Sequence, residues 1–402
     1  MPAGPRVAWL TAAACNYLPQ VRVLARSFST HHPDRRLTVL LTDTAPAGVD
    51  LAGEPYDVLF PHDVGIPDSW LMTHTCKQLS ASAKPQAMLH MLGTGADGVV
   101  CIDPDAIVLG SMYDVEEHVA GHSLTLRPHL LTSGPRDAPL RAFVEDRVLE
   151  AGVFNGGIIG ASNTPEARAF LTWWAAANSE GCRHDLAQGQ HFDQRWLDLA
   201  PSFVDDLARF TDPGLDVAFW SLPGATVDDV GGELTVDGHP CRFLHFTGFV
   251  PEHPDVLVAY FDDLMSTHDV PALAPHYARY IDALHAAGRA EWRDAPYGFG
   301  LFDDGSRVPD VARHLYAALG PSRARFGDPF RTGPGSFHEW LHAPVDDVAP
   351  TITREWIEAH QGNPHLRDQF PEPLGADRER FHTWTTSPDG QATRIVPYVL
   401  HG

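Results

Sequence analysis

The sequence predicts an α/β protein, with a mostly parallel central sheet flanked by helices and a mainly helical region after it. Three observations carry the prediction. The chain opens as strand, helix, strand. A further buried strand, Val99 to Ile102, runs straight into Asp103-Pro104-Asp105. After about residue 252 the apolar patterning turns from strand-like to helix-like. Strands covered on both faces read as continuous apolar runs, and a β-α-β opening is how parallel sheets begin.

The elements follow in order. Val7 to Ala13 reads as the first strand. The run VAWLTAAAC that contains it imitates a lipoprotein leader, but it is short and follows a single Arg6, a weak basic flank. Leu18 to Ser29 reads as a helix with Leu18, Val21, Leu24, Ala25 and Phe28 on one face. Leu37 to Leu41 (LTVLL) is the second strand, and Ser80 to Leu92 a second helix despite Pro85. Ala106 to Leu109 resumes the apolar run after Asp105, and Val153 to Gly160 (VFNGGIIG) reads as a strand with glycines where something approaches closely. Thr164-Pro165-Glu166 starts a helix, with a capping hydroxyl, a first-turn proline and an acid; Phe170, Trp173 and Trp174 sit in its core-facing stripe. Arg242 to Phe246 is the last strand. Beyond it, Tyr277, Tyr280, Ile281 and Leu284 fall at helical spacing before Gly288. Val311, Leu315 and Leu319 follow Pro309, and Ile352, Trp356 and Ile357 suggest a third helix. The expected division is a catalytic domain over 1–252 and an extension over 253–402.

Composition removes several classes. The formal net charge of −23 disfavours a nucleic-acid partner, because phosphate backbones want a basic face. The five cysteines are widely spaced with no CxxC pair, which speaks against a disulfide framework or structural zinc and for a reducing, cytoplasmic setting. No stretch approaches the ~18 apolar residues of a membrane span. There is no GxSxG elbow, GxxxxGK[ST] loop or GxGxxG turn, so the common hydrolase, NTPase and dinucleotide readings fall.

What remains is Asp103 and Asp105, at the carboxyl end of a central strand, where ligands bind in open α/β sheets. Two carboxylates one residue apart in a turn can both reach one hard cation. Such a cation would bridge an acidic protein to a diphosphate and stabilise charge on a departing one.

The segment VVCIDPDAIVLG (99–110) resembles the DxD segment of GT-A glycosyltransferases, Rossmann-like enzymes, and in particular the glycogenin-like group (family 8). Three more segments match in the same order: FNGG (Phe154 to Gly157), HFDQ (His191 to Gln194) and HFTG (His245 to Gly248). The resemblance covers roughly residues 7–250. It implies that Asp103, Asp105 and His245 hold the metal, an O/O/N set that suits Mn2+ and tolerates Mg2+. It implies that Asn155 and Gly156 contact the donor sugar, and that Asp193 and Gln194 face the anomeric carbon, where oxocarbenium charge builds. Lys84, 19 residues before Asp103, matches a lysine that binds donor phosphate. The backbone near Ala12, Ala13 and Asn16 would cradle base and ribose, and Gly248 would belong to the same donor-binding set. The implied reaction moves a sugar from a nucleotide diphosphate, UDP favoured, to an acceptor hydroxyl with retention. The acceptor stays open among natural product, glycan, peptide and lipid head group, and so does oligomeric state. One departure stands out: the group carries a lysine three residues after that glycine, and here Phe249-Val250-Pro251 follows. YGFGLFDDG, GSFHEWL and QFPEPLG resemble C-terminal extensions of bacterial, actinobacterial glycosyltransferases.

Rival readings are definite. His338-Glu339-Trp340-Leu341-His342 matches HExxH, the zinc-peptidase helix, although Pro344 should stop that helix. His184, Asp185, His191 and Asp193 form a second possible metal cluster. A dehalogenase-type phosphatase also places Asp-x-Asp after a strand, but leaves FNGG and HFTG without purpose. A degenerate nucleotide-sugar binder or scaffold is the non-enzymatic alternative, kept open by the missing lysine.

Overall fold

The structure, a computed structural model, describes residues 5–46, 48–134, 139–261 and 265–393. The chain divides into two compact units, one of residues 1–65 and 80–296, the other of residues 66–79 and 297–402. Among the described residues no helix is long and apolar enough to cross a membrane.

The first unit is built on a mixed, mostly parallel sheet. Its strands are β1 (Val7–Ala13), β2 (Leu37–Leu41), β3 (Asp57–Leu59), β4 (Gly98–Ile102), β6 (Leu124–Pro128), β7 (Phe154–Ser162) and β8 (Leu207–Arg209), with β5 (Ala106–Val108) lying outside this sheet. Their order across the sheet is β8-β6-β7-β4-β1-β2-β3. Only β7 runs antiparallel to its neighbours, β4 and β6; the remaining pairs are parallel. Every residue of β2, β4 and β7 is buried, which is why LTVLL, GVVCI and FNGGIIGAS carry no polar face.

Helix α1 (Leu18–His31) presents Val21, Leu24, Ala25 and Phe28 to the core beside Trp9. The Trp9 and Phe28 rings sit 5.1 Å apart, so truncating Phe28 to alanine costs about 3–5 kcal/mol. The helix expected over Ser80 to Leu92 is two, Cys76–Ser82 and α2 (Lys84–Gly93). Pro85 cannot donate to the preceding turn, so it opens a new helix instead of continuing the old one. Lys84 thereby occupies the first turn of α2. Thr164 caps α3 (Pro165–Gly181) by accepting from Ala167 N at 3.2 Å, and Trp174 is fully buried.

The first unit runs on past residue 252 to Pro296. The reason is packing: α4 (Ala274–Ala286) lays Tyr277, Tyr280 and Leu284 onto Phe246. The Phe246 and Tyr280 rings stack with centroids 3.7 Å apart. Gly288, just past that helix, takes a left-handed φ of 94°, the conformation a helix end asks of glycine.

The second unit has helices α5 (Asp310–Ala318), α6 (Phe337–His342), α7 (Arg354–Gly362) and α8 (Arg378–Thr385). One core joins Phe302, Ala312, Tyr316, Phe337 and Leu341 with Met72; another joins Ile352, Trp356, Leu366, Phe370 and Phe381. Residues 66–79 belong here because the buried Arg313 guanidinium donates to the carbonyls of Leu71, Met72 and His74. No periodicity in the sequence announces that excursion.

Candidate active site

The site begins at the carboxyl end of β4. Asp103 N donates to Gly157 O at 2.9 Å, which ties the turn after β4 to the neighbouring β7. β5 then leaves the main sheet and pairs antiparallel with a ninth strand, β9 (Phe243–His245), in a register that sets His245 opposite Ala106. Phe246 N donates to Asp105 O at 2.7 Å. Strand pairing therefore brings a histidine from residue 245 against two carboxylates from the 103–105 turn.

Nε2 of His245 lies 3.3 Å from Asp105 Oδ1 and 3.8 Å from Asp103 Oδ2. The ligand atoms of the three residues lie within 4.8 Å of one another, and among the described residues they form the single group of three or more His, Cys, Asp or Glu side chains so placed. Nε2 is buried and makes no hydrogen bond. A closed-off nitrogen aimed at two acids without a hydrogen-bond partner is what a divalent cation would complete, so these residues fit Mn2+ or Mg2+. Burial alone would depress the imidazole, but Asp105 and Asp216 outweigh it and hold His245 well above the usual histidine range. Burial would likewise raise Asp105, and His245 beside it holds the carboxylate below its ordinary value.

Lys84 supplies the positive counterpart. Its Nζ lies 2.7 Å from Asp103 Oδ1 and 3.5 Å from Asp193 Oδ2, and it donates to Gly156 O at 3.0 Å. Burial opposes the ammonium charge, but Asp103 and Asp193 more than offset it and keep Lys84 above the usual lysine range. Three protein oxygens thus lie within 3.5 Å of the ammonium. Asp193 is only 4% exposed; burial pushes its carboxyl up, against the pull of Lys84. Its backbone carbonyl is fixed by Trp174 Nε1 at 3.0 Å.

The FNGG and HFDQ segments interlock here. Gln194 Oε1 accepts from Gly156 N at 3.0 Å, and its Nε2 donates to Ala151 O at 3.0 Å. The Asn155 amide donates to His129 Nε2 at 3.2 Å and accepts from Gly157 N. Burial drives His129 down to about 4, so at neutral pH it is uncharged and can accept from Asn155. Gly157 has to be glycine: a Cβ would sit 2.7 Å from the His245 ring and 2.5 Å from Asn155 Oδ1. In this structure the polar ends of Asn155 and Gln194 hold the protein's own backbone and His129.

Ala12 and Ala13 end β1 and are buried, and Asn16 follows in the short turn Cys15–Tyr17. β1 is parallel to β4, with Leu10 opposite Cys101, so this segment leaves the sheet at the same edge as Asp103. Gly248 has φ of 70°, and a Cβ there would meet the Tyr260 ring at 2.7 Å. Where the resemblance leads one to expect a lysine stands Pro251, and two residues before it the half-buried Phe249 packs 4.7 Å from Tyr277.

The rival clusters do not assemble in the same way. His184 and His191 face each other across a short hairpin with Nδ1 atoms 3.1 Å apart, while Asp185 accepts from Gln188 N at 3.2 Å. In α6, Glu339 Oε2 accepts from Gly335 N at 2.7 Å, and Glu339 N donates to Ser336 Oγ at 3.0 Å. The HExxH glutamate is therefore taken up by the backbone just before its own helix, with Ser336 as the N-cap. His342 Nδ1 donates to His338 O at 2.8 Å, and its Nε2 lies 3.3 Å from Glu355. One residue of the site carried no sequence signal. Asp216, from GLDVAFW, is fully buried with its Oδ1 3.0 Å from His245 Nδ1.

No protein-family model matches the sequence. A curated relative, the uncharacterized protein YfnD of Bacillus subtilis (strain 168), is 30% identical over 170 residues, 41% of this chain and 52% of the relative. The chain thus spans about half the length of the curated relative it matches. Among solved structures, the galactosyltransferase LgtC in complex with donor and acceptor sugar analogs is similar at TM-score 0.39 and 17% identity, over 69% of this chain and 95% of that one. The glycosyltransferase GlyE of Streptococcus pneumoniae TIGR4 is similar at TM-score 0.41 and 14% identity, over 75% and 67%. Mouse xyloside xylosyltransferase 1 gives TM-score 0.37 and 12% identity, over 60% and 97%.

Proposed function

We propose that the protein is a metal-dependent glycosyltransferase that moves a sugar from a nucleotide diphosphate, UDP favoured, to an acceptor hydroxyl with retention. The observation that carries the reading is the convergence of Asp103, Asp105 and a buried, hydrogen-bond-free His245 Nε2 at the carboxyl edge of the sheet. These three residues would hold Mn2+ or Mg2+, which when bound supplies Lewis-acid stabilisation of a departing diphosphate.

The chain's own groups support the rest. Lys84 neutralises Asp103 and Asp193 and keeps both oriented. Asp193 offers a carboxylate beside the cation site, suited to a sugar hydroxyl or to positive charge at the anomeric carbon. Gly156 lies beside Lys84, Asp193 and Gln194, each within 3.7 Å of where its Cβ would be, and a sugar would be contacted by its backbone and by Asn155 and Gln194. Ala12, Ala13 and Asn16 would flank the nucleotide.

A second reading, donor binding without turnover, is favoured by one observation. Pro251 stands where the resembling enzymes carry a lysine, and Lys84 is engaged by protein acceptors. One screen separates the two. Purified protein is incubated with a panel of nucleotide sugars, with and without Mn2+, and followed for nucleotide release and thermal stabilisation. Metal-dependent release supports transfer chemistry; stabilisation without release supports a binder; neither effect with any donor removes the assignment. A ligand at 100 times its Kd raises stability by about 2.7 kcal/mol, well within reach of such a measurement.

A further inference from the structure

Behind His245 stands a group that belongs to none of the four motifs. The segment around Asp216 lies alongside β9: Val217 N donates to Phe243 O at 2.9 Å and His245 N donates to Val217 O at 2.8 Å. This brings Asp216 Oδ1 to 3.0 Å from His245 Nδ1, with both side chains closed to solvent. A carboxylate oxygen can only accept, so Nδ1 donates to Asp216, and Nε2, facing Asp103 and Asp105, is the nitrogen left to a cation, which would displace its proton on binding. The backbone at Asp216 is left-handed, with φ of 58°, a conformation non-glycine residues rarely hold, asparagine and aspartate more often than most. Arg127, also buried, lies near enough to feel the Asp216 charge. A strained, sealed carboxylate whose hydrogen bond reaches the back of a prospective metal ligand needs an explanation beyond packing.

We propose that Asp216 is a positioning residue that locks His245 in the metal-binding tautomer and orientation, and so sets both the affinity and the Mn2+-over-Mg2+ preference of the centre. This rests on the metal site proposed above. The preference follows because the imidazole is the ligand that Mn2+ accepts more readily than Mg2+, which prefers oxygen and water. Loss of such a partner behind a ligating histidine typically weakens metal binding about 10- to 100-fold.

The test uses the full chain and the metals alone. Mn2+ and Mg2+ affinities are measured by calorimetry, and pulsed electron spin resonance of bound Mn2+ reads whether an imidazole nitrogen is coordinated. Wild type is expected to bind Mn2+ with a nitrogen signal. Asp216→Ala is expected to lose about 10- to 100-fold in Mn2+ affinity, less in Mg2+ affinity, and to lose the nitrogen signal. Asp216→Asn, isosteric and at ease in a left-handed backbone, shows a smaller loss in the same direction and decides the matter if the alanine variant does not fold. Wild-type Mn2+ affinity with an intact nitrogen signal in the folded variants overturns the role of Asp216 and leaves the metal centre standing. Equal losses for the two metals overturn it too, as structural support only. A wild-type protein that binds no Mn2+ removes the centre and the role together.

Discussion

Two regions of this chain display histidines and acids at suggestive spacing, and among the described residues only one of them gathers three prospective ligands. In the first unit, Asp103, Asp105 and His245 are far apart in sequence, yet the pairing of β5 with β9 sets the histidine against both carboxylates. In the second unit, His338, Glu339 and His342 share one short helix, yet Glu339 is taken up by the backbone just before it and His342 leans on Glu355. Local spacing tells which side chains share a face. It does not tell which already have partners, and a carboxylate engaged by backbone amides is a structural element first.

That contrast can be broken in several ways. The largest expected effect is on ligand binding. Asp105→Ala removes Mn2+-dependent UDP binding in calorimetry while the metal-free unfolding temperature stays near that of wild type, whereas His342→Ala leaves UDP binding unchanged. Equal UDP affinity in wild type and Asp105→Ala would undo the assignment of the centre. Next comes the aromatic support beneath it. Phe246→Ala, which deletes the stack on Tyr280, costs about 3–5 kcal/mol in denaturant unfolding. Gly157→Ala is smaller, about 1–3 kcal/mol, because the new methyl must displace the His245 ring or the Asn155 amide; it weakens Mn2+ binding as well, where an ordinary overpacked glycine would lower stability alone. The smallest is in α6: Ser336→Ala removes the capping hydroxyl and costs about 1 kcal/mol, with no change in Mn2+ affinity. A fall in metal affinity there would revive the HExxH helix as a functional element.

Much of the frame was legible in the residues. β1 and β2 fall where their apolar runs place them, because a strand buried on both faces has no polar position to blur its ends. The DxD turn was legible for a related reason: two acids interrupt a buried run, and only an edge with a purpose tolerates that. What escaped is tertiary. Pro85 splits a helix whose periodicity runs through it. Residues 66–79 join the second unit through Arg313, a polar tie with no period. Asp216 became visible only when the 214–218 segment was laid beside β9. Conversely, Asn155 and Gln194 sit among the motif residues, but their hydrogen bonds to Gly157, His129, Gly156 and Ala151 depend on neighbours that no local pattern discloses.

The run of the first unit to Pro296 has a practical meaning for anyone trimming the chain. Excision at residue 252 would strip Tyr277 and Tyr280 from Phe246, the residue next to His245, and would take the Ala287 carbonyl from Arg22 on α1. The smallest fragment that keeps the histidine's underlay therefore ends near 296, and a shorter expression product should be greasy, easily clipped and poor at holding a cation.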